Sequence, residues 1–174
     1  WFSEALWDRC SIVPVFYCNV FCYTYDPRRM PFAKLPFILY RPFQERALLE
    51  IIEAIGSHDL RIEKSRDMGV SWLCCLAFEW AWHFRRHQSF LMISRNEDYV
   101  DKADNPKSLF WKIDFLLDNQ PRWLLPKGYD RNSHRTKLHI FNPEMESVID
   151  GESTTGQAGR GDRRTAILLD EFAA

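Results

Sequence analysis

Two groups of residues in this chain have the types and spacing needed for chemistry on a phosphate ester. The first is Lys64-Ser65-Arg66-Asp67-Met68-Gly69-Val70-Ser71, between a short apolar alternation and a long helical pattern. Loops that cradle phosphates commonly read G-x-x-x-x-G-K-[ST] in that same strand-to-helix context. Gly69 takes the second glycine and Ser71 the hydroxyl position, Val70 stands where the lysine usually does, and Lys64 replaces the first glycine. The physical needs of such a loop can still be met. Successive backbone N–H groups ahead of a helix form an anion nest, and the helix dipole adds favourable potential. A hydroxyl in the first turn can ligate Mg²⁺, and Lys64 or Arg66 can reach the terminal phosphates from the opposite flank.

The second group is Asp170-Glu171, directly after the apolar run Ala166-Ile167-Leu168-Leu169 and roughly a hundred residues beyond Ser71. Ligands of open α/β sheets bind at such strand ends. One acid there can hold Mg²⁺ through its water shell, and the other can orient an attacking water. Taken singly, each group has an ordinary explanation, as a helix start or a solvated strand end. Together, in this order and with one buried strand between them, they read as a P-loop nucleotide hydrolase whose acids lie one strand away.

These residues must be positioned by a folded core, and the composition supplies one. Of 174 residues, 46% are hydrophobic and 27% charged, and the 23 basic and 24 acidic residues leave a net charge of −1. That balance excludes a strongly basic nucleic-acid coat, a polybasic membrane tether and an acidic disordered tail. With 13 Phe, 7 Trp and 6 Tyr against only 7 Gly, low-complexity disorder is excluded for most of the chain. The uncharged stretch from Cys10 to Tyr25 contains Pro14 and Asn19 and falls short of the roughly 20 residues that span a bilayer. Five cysteines without C-x-x-C spacing read as buried free thiols, in a reducing cytoplasm.

The elements follow from periodicity. Residues 1–42 read as an aromatic arm in which Pro27, Pro31, Pro36 and Pro42 forbid long helices, and 43–174 as the core domain. Phe43, Ala47, Ile51, Ile52 and Ile55 predict an amphipathic helix over 43–55. Leu60-Arg61-Ile62-Glu63 alternates as a short strand, residues 69–86 read as a mostly buried helix, and Phe90-Leu91-Met92-Ile93 as a buried strand. Helical pattern returns at 97–104 and 107–119. Asn142-Pro143-Glu144 marks a hairpin between 137–141 and 147–149, a polar loop covers 151–164, and 165–169 forms the last strand. The alternation predicts an α/β fold with a mostly parallel sheet flanked by helices.

With these residues in place, the chain resembles a family. Tyr40-Arg41-Pro42-Phe43-Gln44, the loop with lysine at its start followed by Trp72, Ser94-Arg95 with Val100-Asp101-Lys102, and the Asp170-Glu171 strand are similar to the N-terminal ATPase domain of the large terminase subunit. This is the DNA-packaging motor of tailed bacteriophages. The likeness covers about residues 20–174 and implies a P-loop fold of the ASCE type. It implies that Gln44 contacts adenine, Lys64 binds phosphate and Arg66 reaches the γ-phosphate. It further implies that Ser65 to Val70 line the nucleotide, Ser71 and Asp170 serve Mg²⁺, and Glu171 is the catalytic acid. Asp67 departs from the glutamine common at that position.

The resemblance also implies ATP and Mg²⁺ as cofactors, and double-stranded DNA, a portal protein and a small terminase subunit as partners. A homo-oligomeric ring in the cytoplasm of an infected bacterium, docked on a procapsid and without a membrane, completes that expectation. The chain reads as a piece of a longer protein, incomplete at the C-terminal end, lacking a coupling motif and a nuclease domain. On that reading the acid-bearing strand lies at or near a sheet edge and these residues alone hydrolyse ATP poorly. Two alternatives share the residues: a helicase-like or other P-loop translocase, and a nucleotide-binding or structural protein that has lost catalysis, the latter favoured by Val70. Arg160, Arg163 and Arg164 read as a solvated loop face, with an arginine finger or a DNA contact as alternatives. The histidines His83, His87, His134 and His139 show no acid or cysteine at four-residue spacing and are assigned no metal. Trp72, Trp80 and Trp82 read as core.

Overall fold

The computed structural model of the chain describes residues 2–40, 42–65, 68–154 and 163–170. Two helices, α1 (Phe2–Ile12) and α2 (Pro14–Phe21), open the chain, followed by an antiparallel ladder of β1 (Tyr23–Tyr25) and β2 (Lys34–Pro36). Then come α3 (Phe43–Ala54), α4 (Val70–Phe84), β3 (Ser89–Ser94), α5 (Glu97–Val100) and α6 (Leu109–Asp118). The last third holds α7 (Arg131–His134), β4 (Arg135–Thr136), β5 (His139–Asn142), β6 (Ser147–Ser153) and β7 (Ala166–Leu169). The architecture is α/β, with a five-stranded sheet of order β4-β5-β6-β3-β7 flanked by helices.

The sheet is mixed rather than mostly parallel. β3 pairs in parallel with β6 on one side and β7 on the other, whereas β4-β5 and β5-β6 are antiparallel. The reason lies in the hairpin: Asn142 accepts from the backbone N–H of Glu144 and Met145, folding β6 back along β5. β6 is thus both the return strand of a hairpin and a parallel neighbour of β3. It also runs to Ser153, so Gly151 belongs to a strand and not to the expected loop. A Cβ at Gly151 would lie 2.6 Å from Val100 Cγ1 and 2.7 Å from Phe110 Cε2, so α5 and α6 close onto the sheet where a side chain is missing. Among the described residues, β7 is the edge strand of its side.

Three further expectations are corrected. Leu60 to Glu63 forms no strand, and Leu60 and Ile62 stay well exposed; an isolated alternation has no ladder partner to bond with. The helix expected over 97–104 stops at Val100. Residues before Pro27 do form helices, because Pro14 sits at the first position of α2, where its missing N–H costs nothing. Cys10, Tyr17 and Cys18 of these helices lie in the same hydrophobic core as α3, α4 and β3.

α4 is the axis of that core, buried from Leu73 to Phe84. It packs Phe78 on Phe90 of β3 with ring centroids 4.6 Å apart, and Trp80 and Trp82 are buried as core. His83 does have an acid at four-residue spacing: Glu79 Oε1 stands 3.0 Å from its Nδ1, and Nε2 lies 2.8 Å from the carbonyl of Leu124. Tyr17 donates to both oxygens of Glu79, at 2.7 and 2.8 Å, and Gln120 donates to the Tyr17 hydroxyl. This buried network ties α2, α4 and the turn after α6 together. All five cysteines are buried free thiols. Among the described residues no helix is long and apolar enough to cross a membrane.

Candidate nucleotide site

The site begins with the backbone of one residue. Gly69 sits at φ +75° and ψ +13°, the left-handed region that glycine enters without steric cost, and α4 starts immediately after it. The N-cap of this helix is Gly69, so the capping position has no side chain to bond the first turn. Its first intrahelical bond comes from the N–H of Leu73 to the carbonyl of Gly69, at 3.1 Å. The N–H groups of Val70, Ser71 and Trp72 therefore have no acceptor inside the helix, and the positive end of the dipole favours an anion.

Gln44, on the first turn of α3, braces the loop. Its Oε1 accepts from the Tyr40 N–H at 3.0 Å and its Nε2 donates to the Met68 carbonyl at 3.2 Å. A Cβ on Gly69 would stand 3.2 Å from that same Nε2. A side chain at Gly69 would therefore crowd the brace. Nothing in the spacing of Gln44 alone reveals this contact, because it depends on how α3 packs on α4.

Residues far apart in the chain meet at the other side of the loop. Ser71 donates from Oγ to Oδ1 of Asp170 at 2.9 Å, across half the sequence. Asp170 follows β7, and its N–H bonds the carbonyl of Ile93 on β3 at 2.9 Å. At the opposite end of β7, a Cβ on Gly56 would lie 3.6 Å from Thr165 Cγ2. The stretch from Gly56 to Ser71 thus starts near one end of β7 and finishes at the other. The Cys74 thiol, one turn further along α4, reports the local charge. Burial pushes it up to about 12, with the Asp170 carboxylate adding to the shift and the Lys64 ammonium opposing it. Lys64 and Asp170 therefore act on one point near the start of α4.

Of the residues singled out from the sequence, Gln44, Met68, Gly69, Val70, Ser71 and Asp170 come together around this helix start. Lys64 and Ser65 are exposed beside it. Arg66, Asp67 and Glu171 lie outside the described residues, as does Arg160. Arg164 is neither a solvated loop residue nor a free finger: its guanidinium reaches Asp150 Oδ2 at 2.5 Å and Ser89 Oγ at 3.0 Å. Arg163 is exposed. Asp101 accepts from Arg135 at 2.7 Å, a structural ion pair. Among the described residues no group of three or more His, Cys, Asp or Glu side chains could hold a metal. What the site offers instead is one carboxylate and one hydroxyl, a donor set suited to a hard cation whose other ligands are phosphate and water. A scan against protein-family models finds no match, and none of the curated proteins matches the sequence.

Proposed function

We propose that this chain is the ATPase motor domain of a large terminase subunit, a P-loop fold that hydrolyses ATP with Mg²⁺ to drive double-stranded viral DNA into a procapsid. The observation that carries the reading is the 2.9 Å bond between Ser71 and Asp170. A hydroxyl on the first turn of α4 and a carboxylate at the tip of a parallel strand form a donor pair that suits a hard cation between the helix start and the sheet.

In this reading the N–H groups at the start of α4 bind the phosphates, and Lys64 offsets their charge in place of the lysine absent at Val70. Ser71 and Asp170 fit Mg²⁺, which when bound draws charge from the phosphate oxygens. Arg66 reaches the γ-phosphate, and Glu171, next to Asp170, orients the attacking water. Gln44 links base recognition to the loop, since its amide already holds Met68. Portal protein, small terminase subunit and a homo-oligomeric ring belong to the same reading, in the cytoplasm of an infected bacterium.

Glu171→Gln in the whole protein tests the assignment. ATP binding is expected to persist while turnover falls by two orders of magnitude or more, the usual scale for removing a general base (roughly 10²–10⁴). Turnover at the wild-type rate refutes it.

A further inference from the structure

Ser94, the last residue of β3, is 1% exposed, and its hydroxyl has no hydrogen-bond partner among the described residues. Buried hydroxyls are almost always paired, so an unpaired one at a strand tip needs a reason. Side chains alternate along a strand, so Ser94 shares a face with Phe90 and Met92. That face carries α4, because Phe90 packs on Phe78. Ile93 registers with Leu169, which sets Ser94 beside Asp170 on the neighbouring strand, about 5 Å away at the usual strand spacing. Asp170 points to the same face, as its bond to Ser71 at the start of α4 requires. Three oxygens thus lie on one face where β3 and β7 meet the helix: two are bonded to each other and the third has no partner among the described residues.

We infer that Ser94 is a positioning residue of this site, its hydroxyl holding a water in the shell of a divalent cation bound with a nucleotide triphosphate. The inference rests on the proposed nucleotide site. A water needs two or more polar partners to stay ordered, and the Ser94 hydroxyl with the Asp170 carboxylate supplies them once the cation is in place.

Mn²⁺, a paramagnetic substitute for Mg²⁺, gives a direct readout. Its affinity in the presence of a non-hydrolysable ATP analogue is measured by electron paramagnetic resonance in wild type, Ser94→Ala and Asp170→Asn, alongside thermal unfolding without metal. Ser94→Ala is expected to weaken Mn²⁺ binding roughly 10-fold, as loss of an outer-shell partner does, and to leave metal-free stability equal or higher. Wild-type Mn²⁺ affinity in Ser94→Ala, with Asp170→Asn impaired, overturns the role of Ser94 alone. No Mn²⁺ binding by the wild type overturns both this inference and the nucleotide site beneath it. A loss of metal-free stability in Ser94→Ala, without a separate loss of affinity in the folded protein, shows a packing role and also overturns it.

Discussion

Gly69 is the residue on which the local geometry turns. Its positive φ lets the chain reverse into α4, and its missing side chain lets Gln44 reach the Met68 carbonyl. The motif in the sequence pointed to Gly69 and Ser71 because phosphate loops demand those types, but the brace depends on a helix that precedes the loop by some twenty residues. Charge at the residue scale gives a testable consequence. Burial pushes the thiols of Cys10, Cys74 and Cys75 up to about 12 from an ordinary 9.0, with Glu79 adding to the shift at Cys10. A thiol that ionises less readily when folded supports the fold fully below pH 9.0 and ceases to do so as pH climbs from there toward 12. Denaturation midpoints are therefore expected to fall above pH 9. At pH 8 the native protein should leave its thiols unmodified by Ellman's reagent, with all five reacting after unfolding. Rapid modification of the folded protein at pH 8 contradicts the burial.

At the scale of elements, apolar patterns that find a partner in the sheet or core were readable and an isolated one was not. α3, α4, α6, β3, the β5-β6 hairpin and β7 follow their patterns because each buries a face against a neighbour that the same sequence supplies. Leu60 to Glu63 alternates just as well and forms no strand, since alternation describes a face while a strand also needs a hydrogen-bonded partner. α1 and α2 were hidden by prolines that all lie after them, from Pro27 onward. Gly151 shows an element feature that no pattern reveals: the contact of α5 and α6 with β6 exists only because the strand lacks a side chain there. Gly151→Val drives new atoms into Val100 and Phe110, both fully buried. It is expected to cost about 1–3 kcal/mol of stability, the usual range for overpacking a core, in urea denaturation. An unchanged midpoint would show that the two helices are not seated on the sheet as described.

At the scale of the whole molecule, the structure is a helical core on a mixed sheet whose parallel strands β3 and β7 point their C-terminal tips at the start of α4. The Tyr17, Glu79, His83 and Gln120 network fastens α2 to the C-terminal half of α4, away from its N-terminal turn. Bidentate pairing of Arg135 with Asp101 and Asp114 fastens the β4 end of the sheet to α6. Both clusters use charged residues for architecture, whereas Gln44, Met68, Ser71 and Asp170 bring polar groups together at the start of α4. The order of the phosphate loop and the acid-bearing strand along the chain was legible from the sequence. That they would share one site was expected too; the register of β7 on β3 and the seating of α4, which bring Ser71 to Asp170, were not legible. Equilibrium binding of a fluorescent ATP analogue, with and without Mg²⁺, tests the central claim most directly. Wild-type protein should bind the analogue more tightly when Mg²⁺ is present, and Asp170→Asn should lose that metal-dependent gain while remaining folded. Absence of binding, or binding that neither Mg²⁺ nor Asp170→Asn alters, would contradict the account.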